Sequence, residues 1–175
     1  MLNIITKYIN YHKRKRELKI AVQAHIFHVD LTDEIIGFLK NITLPFDLYI
    51  STDTLSKKVI IEQKIKDASI SDNTHIETFE NRGRDVAPFL FQMSDCIDNY
   101  DYVCHIHTKK SEHLKLSAGD DWRKYLLNNL LGSKSYIREI LDIFENNPKI
   151  GIICPYSFKL IVPVMNWGDN LETSE

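Results

Sequence analysis

The sequence is short of cysteine: among 175 residues there are three, Cys96, Cys104 and Cys154, and none stands in a Cys-x-x-Cys pair. An odd count without such pairing argues against a disulfide framework and fits a reducing, cytosolic setting. Long apolar runs are lacking too, because Lys149, Lys159 and Asp169 interrupt the most apolar third of the chain. None reaches the roughly 18 consecutive apolar residues of a membrane-spanning helix. An export signal is not expected either: in MLNIITKYINYHKRKR the basic block follows the apolar residues, whereas a secretory leader has it in front. No charge of one sign dominates. Lys plus Arg (22) against Asp plus Glu (24) leaves a net charge of −2, which gives no reason to expect nucleic acid as a partner. Residues 1–17 form an N-terminal basic segment in which Lys13 to Arg16 precede Glu17. That run reads as a solvated lead-in to a strand, or as a loose peripheral contact with an anionic membrane surface.

What is present is an alternation of strand and helix patterns. LKIAVQAHIF has period two from Leu18 to about Phe27, FDLYIST, HIETFE and YDYVCHIHT read as further strands, and IGIICP as a short fifth. Between them lie helical segments. In the first, capped by Asp30 or Thr32, Ile35, Ile36 and Leu39 recur at helical spacing. In TLSKKVIIEQKIKD, capped by Asp53, Leu55, Val59 and Ile65 sit under a charged face. Pro88 suits the first turn of a third helix. In DWRKYLLNNLLG a face of Trp122, Tyr125, Leu126, Asn129 and Leu130 ends at a cap position, Gly132, and SYIREILDIFENNP repeats that grammar. The stretch KKSEHLKLSAGD is long and polar enough to be a mobile loop over a site. The expectation is a three-layer α/β/α sandwich with a mostly parallel sheet, whose ligands bind beyond the carboxyl ends of the strands.

Those ends are AHIFHVD, STDT, ENRGRD and HIHTKKS. In ENRGRDVAPF, Arg82 and Arg84 offer bidentate donors to a diphosphate beside the N-terminus of a helix; the structural alternative is that Asp85 caps that helix and pairs with an arginine. His105 and His107 share one side of a strand and can converge on a metal ion, but a zinc site needs a third protein ligand. A second reading gives His107, Thr108 and Lys109 a phosphate to face. Thr52 and Asp53 suit a ribose or base edge, or a helix cap, and His25 and His28 can line the same crevice. Trp122 and Arg123 are candidates for a sugar ring and a phosphate. The sequence holds neither nucleotide fingerprint, G-x-G-x-x-G or the P-loop, and no nucleophile elbow or internal repeat.

Together IAVQAHIFHVDLTDEIIGFLKNITLPFDLYISTDT, ENRGRDVAPFL, YDYVCHIHTKKS, WRKYLLNNLLGS and IGIICP resemble the rhamnan synthesis protein F family over Leu18 to about Pro155. The resemblance implies bacterial glycosyltransferases that build rhamnose-containing cell-wall polysaccharides or lipopolysaccharide O-chains. It also implies a GT-A fold, a Rossmann-like nucleotide half followed by an acceptor half. On that basis residues 18–155 are a nucleotide-sugar-binding domain, and residues 156–175, with NWG at 166–168, begin an acceptor half cut short. The donor would be dTDP-rhamnose-like and the acceptor a glycan, with a completing chain as a further partner. Asn81, Arg82, Gly83, Arg84 and Asp85 fall in the family's motif. His107, Thr108 and Lys109 stand where many GT-A enzymes keep Asp-x-Asp; its absence argues against the usual divalent cation and leaves Lys109 and the two arginines to neutralise the leaving diphosphate. Asp120 and Asp121 are the only candidates for a catalytic base. The expected place of action is the cytoplasm, at the inner face of the membrane. Two alternatives stand beside this: an inactive sugar-nucleotide-binding module that needs a partner chain, and a metal-dependent hydrolase using His105 and His107.

Overall fold

The computed structural model describes residues 17–110, 118–160 and 162; the basic run at 13–16, the polar loop at 111–117 and the NWG stretch lie outside them. Four strands form one sheet: β1 (Ile20–His25), β2 (Asp47–Thr52), β3 (Asn73–Thr78) and β4 (Tyr102–His107), in the order β3-β2-β1-β4 and parallel throughout. Among the described residues five α-helices accompany them: α1 (Thr32–Leu39), α2 (Leu55–Ala68), α3 (Val86–Met93), α4 (Ala118–Leu131) and α5 (Lys134–Asn146).

Period two in β1 divides the sheet chemically. Ile20, Val22, Ala24 and Ile26 face one way and join Ile35, Leu39, Leu48, Ile50, Ile61, Ile65, Ile106, Leu127 and Leu131 in the apolar core under α1, α2 and α4. The opposite face is polar, since register aligns His75, Tyr49, Gln23 and His105 in one row and Glu77, Ser51, His25 and His107 in the next. Helix α3 covers this second face, making the third layer of a Rossmann-like α/β/α arrangement.

Several details depart from expectation. Segment 150–155 forms no strand; only three residues separate Gly151 from Pro155, which has no N–H to donate, and the segment lines a cavity of about 430 Å³ against Cys104, Leu130 and Leu141. In α2 the buried positions are Ile61 and Ile65, while Leu55 and Val59 are exposed. The cap of α2 is Thr54, whose hydroxyl accepts from the Lys57 amide, and Asp53 instead pairs with Lys57. In α4 the buried stripe is Arg123, Leu127 and Leu131 rather than the face of Trp122 and Tyr125. A buried charged residue hides the stripe from hydrophobic periodicity.

Candidate functional site

Strand order reverses between β1 and β4, because β2 lies on one side of β1 and β4 on the other. At such a switch point the loops diverge and leave a crevice beyond the carboxyl ends. His25 closes β1 and His107 closes β4 as register partners, with His105 one row below.

The NRGRD turn folds back onto these histidines. Gly83 has φ +75° and Arg84 φ +54°, two successive left-handed residues. A side chain at Gly83 would meet Ala87 Cβ at 2.4 Å, so only glycine fits. A left-handed arginine costs on the order of 1 kcal/mol, a strain that collects where geometry is imposed. Asp85 stands at the N-cap position of α3 yet makes no capping hydrogen bond. Its Oδ2 lies 3.4 Å from Nε2 of His105 and 3.3 Å from Nδ1 of His107.

Behind the histidines runs a buried amide relay. The Ile50 carbonyl accepts from Nε2 of Gln92 at 3.0 Å, Oε1 of Gln92 from Nε2 of Gln23 at 3.1 Å, and Oε1 of Gln23 lies 2.7 Å from Nδ1 of His105. Because Gln23 presents an acceptor, Nδ1 of His105 carries the proton and the ring is fixed. His25 is held by its Nδ1 contact with Ser51 Oγ at 2.9 Å. Burial is the largest influence on His25, His105 and His107 and pushes all three below the ordinary histidine range, although Asp85 opposes it. Asp85 itself is held below the usual carboxylate range by the histidines and a backbone hydrogen bond, against the opposing effect of its burial. Asp85 thus stands within reach of both imidazoles.

Lys109 lies beyond His107, its Nζ 4.1 Å from the ring centroid of Trp122. Burial lowers its pKa, Asp85 opposes that and nearby Arg84 adds to it. Arg82 and Arg84 are exposed and make no ion pair among the described residues, and Asn81 is exposed beside them. Thus the structure brings Asp85, His25, His105, His107, Lys109 and Trp122 to one place, with Arg84 at its rim. A cavity of about 190 Å³ lies against Asp85, His107 and Lys109.

Other candidates are committed to the scaffold. Thr52 donates to the Ile26 carbonyl, and Thr108 accepts from the His28 amide and donates to the His25 carbonyl. The Arg123 guanidinium, nearly fully buried, donates to Glu34, Asp120 and the Lys109 carbonyl. It therefore anchors the loop that carries Lys109 instead of presenting its own fork. Asp120 is held by Arg123, while Asp121 is exposed in the first turn of α4. Gln23 and Gln92 escaped sequence reasoning; an amide alternating among buried residues in LKIAVQAHIF was the available signal.

The family model described as "Rhamnan synthesis protein F" (RgpF) matches residues 1–172. The chain belongs to the rhamnan synthesis protein F family. The family's description refers to rhamnan synthesis. Two relatives, both described as "Uncharacterized protein WxcX", come from Xanthomonas campestris pv. campestris strains B100 and ATCC 33913. Each is 33% identical over 136 residues, covering 77% of this chain and 19% of the relative. The chain thus spans about a fifth of the length of these curated relatives. No solved structure gives a significant match. Among the described residues of this RgpF member no helix is long and apolar enough to cross a membrane.

Proposed function

We propose that the crevice between β1 and β4 is the donor site of a nucleotide-sugar-dependent glycosyltransferase acting in bacterial cell-wall or O-chain polysaccharide synthesis. The observation that carries this reading is the convergence of the NRGRD turn on the HIHTKK strand end, with Asp85 within 3.4 Å of both histidines and Lys109 just beyond. Lys109 and Arg84 supply positive charge at the mouth of the crevice, suited to a diphosphate whose charge grows as the glycosidic bond breaks. Trp122 offers a ring face for a sugar or base. The donor is a nucleoside-diphosphate sugar of the dTDP-rhamnose type, and the acceptor is a glycan hydroxyl.

One observation favours a division of labour. Asp120, a candidate base, spends its carboxylate on Arg123. In this reading the chain holds the donor, and acceptor activation comes from Asp121 or from a partner chain. A thermal-shift panel of nucleoside diphosphates and their sugars tests it, since a ligand at 100 times its dissociation constant stabilises by about 2.7 kcal/mol. Stabilisation by dTDP and dTDP-sugars supports the reading. A flat response to every nucleotide removes it.

A further inference from the structure

The relay through Gln92 and Gln23 leaves His105 with its proton on Nδ1 and a lone pair on Nε2. That lone pair faces Oδ2 of Asp85, which is an acceptor as well. Two acceptors 3.4 Å apart repel unless a positive charge lies between them. The nitrogen of His107 lies 3.3 Å from the same oxygen, and one ligand atom from each of the three residues falls within 4.8 Å of the others.

We propose that Asp85, His105 and His107 form a site for a divalent first-row transition ion in the range from Mn²⁺ to Zn²⁺. For bonds of about 2.0 to 2.1 Å and tetrahedral angles, neighbouring ligand atoms stand roughly 3.3 to 3.4 Å apart. The observed nitrogen-to-oxygen separations of 3.3 and 3.4 Å match that spacing. Two imidazoles with one carboxylate suit a transition ion better than Mg²⁺ or Ca²⁺, which take oxygen ligands. Gln23 plays the outer role common around metal-bound histidine, accepting the other ring N–H and fixing the tautomer. Three protein ligands leave a coordination position open for a phosphate oxygen, on the side of Lys109 and the adjoining cavity. The third ligand comes from the glycine turn, 20 residues before His105, so the His-x-His spacing alone does not reveal it. For the phosphate the inference rests on the donor-site reading; the ion itself rests only on the geometry of the three ligands.

The test is titration of the metal-free 175-residue chain with Co²⁺, followed by visible absorption, and with Zn²⁺ by calorimetry. One equivalent is expected to bind, with Co²⁺ bands of an imidazole-containing site. His105→Ala and Asp85→Asn should each weaken binding at least a hundredfold while circular dichroism stays unchanged. His107→Ala serves if either of them fails to fold. Gln23→Leu, a change at a positioning residue, should weaken binding ten- to a hundredfold without removing a ligand. Absence of saturable uptake of both ions by the folded chain would overturn the site, as would wild-type affinity in His105→Ala and Asp85→Asn. Parallel titration with dTDP, both with and without metal, separates the two readings. Metal uptake without nucleotide binding leaves the ion site and removes the donor site; nucleotide binding without metal uptake does the reverse.

Discussion

Oε1 of Gln23 and Nδ1 of His105 lie 2.7 Å apart, joining the centre of the sheet to the candidate site. Gln23 is fully buried and its amide also donates to Ser51 and Gln92. The contact therefore assigns a tautomer rather than merely filling space. Long-range proton–nitrogen NMR of the histidines should show His105 as the Nδ1–H form at neutral pH. An Nε2–H tautomer there would break the relay.

Replacing Gln23 by Leu removes the acceptor for His105 and strands the Gln92 carbonyl in a buried position. Each orphaned group costs about 1 to 3 kcal/mol, so a loss of about 2 to 6 kcal/mol is expected in urea denaturation. A loss below about 0.5 kcal/mol, within the range of an ordinary surface change, would mean the relay is not under load.

Gly83→Ala is expected to destabilise by about 2 kcal/mol or more, because alanine at positive φ is strained and its Cβ would collide with Ala87. The change should also loosen the turn that delivers Asp85. Denaturant midpoints check the first effect, and dTDP affinity the second.

Arg123 stabilises through Glu34 and Asp120, with its guanidinium nearly fully buried. Arg123→Met leaves Glu34 half-buried and unpaired, and about 2 to 4 kcal/mol of stability should be lost. The hydrogen bond from Arg123 holds Asp120 below the usual carboxylate range. A depressed carboxylate contributes above its unfolded pKa of about 3.9 and loses that contribution as pH falls through the folded value. Acid titration of stability should therefore show a decline below about pH 4 that is smaller in Asp120→Asn.

Much of this was legible before any coordinates. Alternation in β1 showed its apolar face, and the turn residues Asn81 to Asp85 and the pair His105 and His107 stood out by composition. Their meeting was not legible from spacing, since it depends on β4 pairing with β1 across 80 residues and on two left-handed residues aiming Asp85 inward. Arg123 misled for a physical reason: guanidinium donors that suit a phosphate suit Glu34 and Asp120 equally, and only burial tells the two uses apart. The fifth strand misled because an apolar run packs against helices as readily as it joins a ladder.

The donor site itself is tested most directly by calorimetric titration of the chain with dTDP, comparing wild type with Lys109→Ala, Arg84→Ala and the exposed control Lys66→Ala. The account predicts saturable binding to wild type and the control. Each site variant should bind about tenfold or more weaker, a loss of about 1.5 to 3 kcal/mol for a charge-assisted contact. Binding of equal strength in all four proteins, or none in wild type, would contradict it.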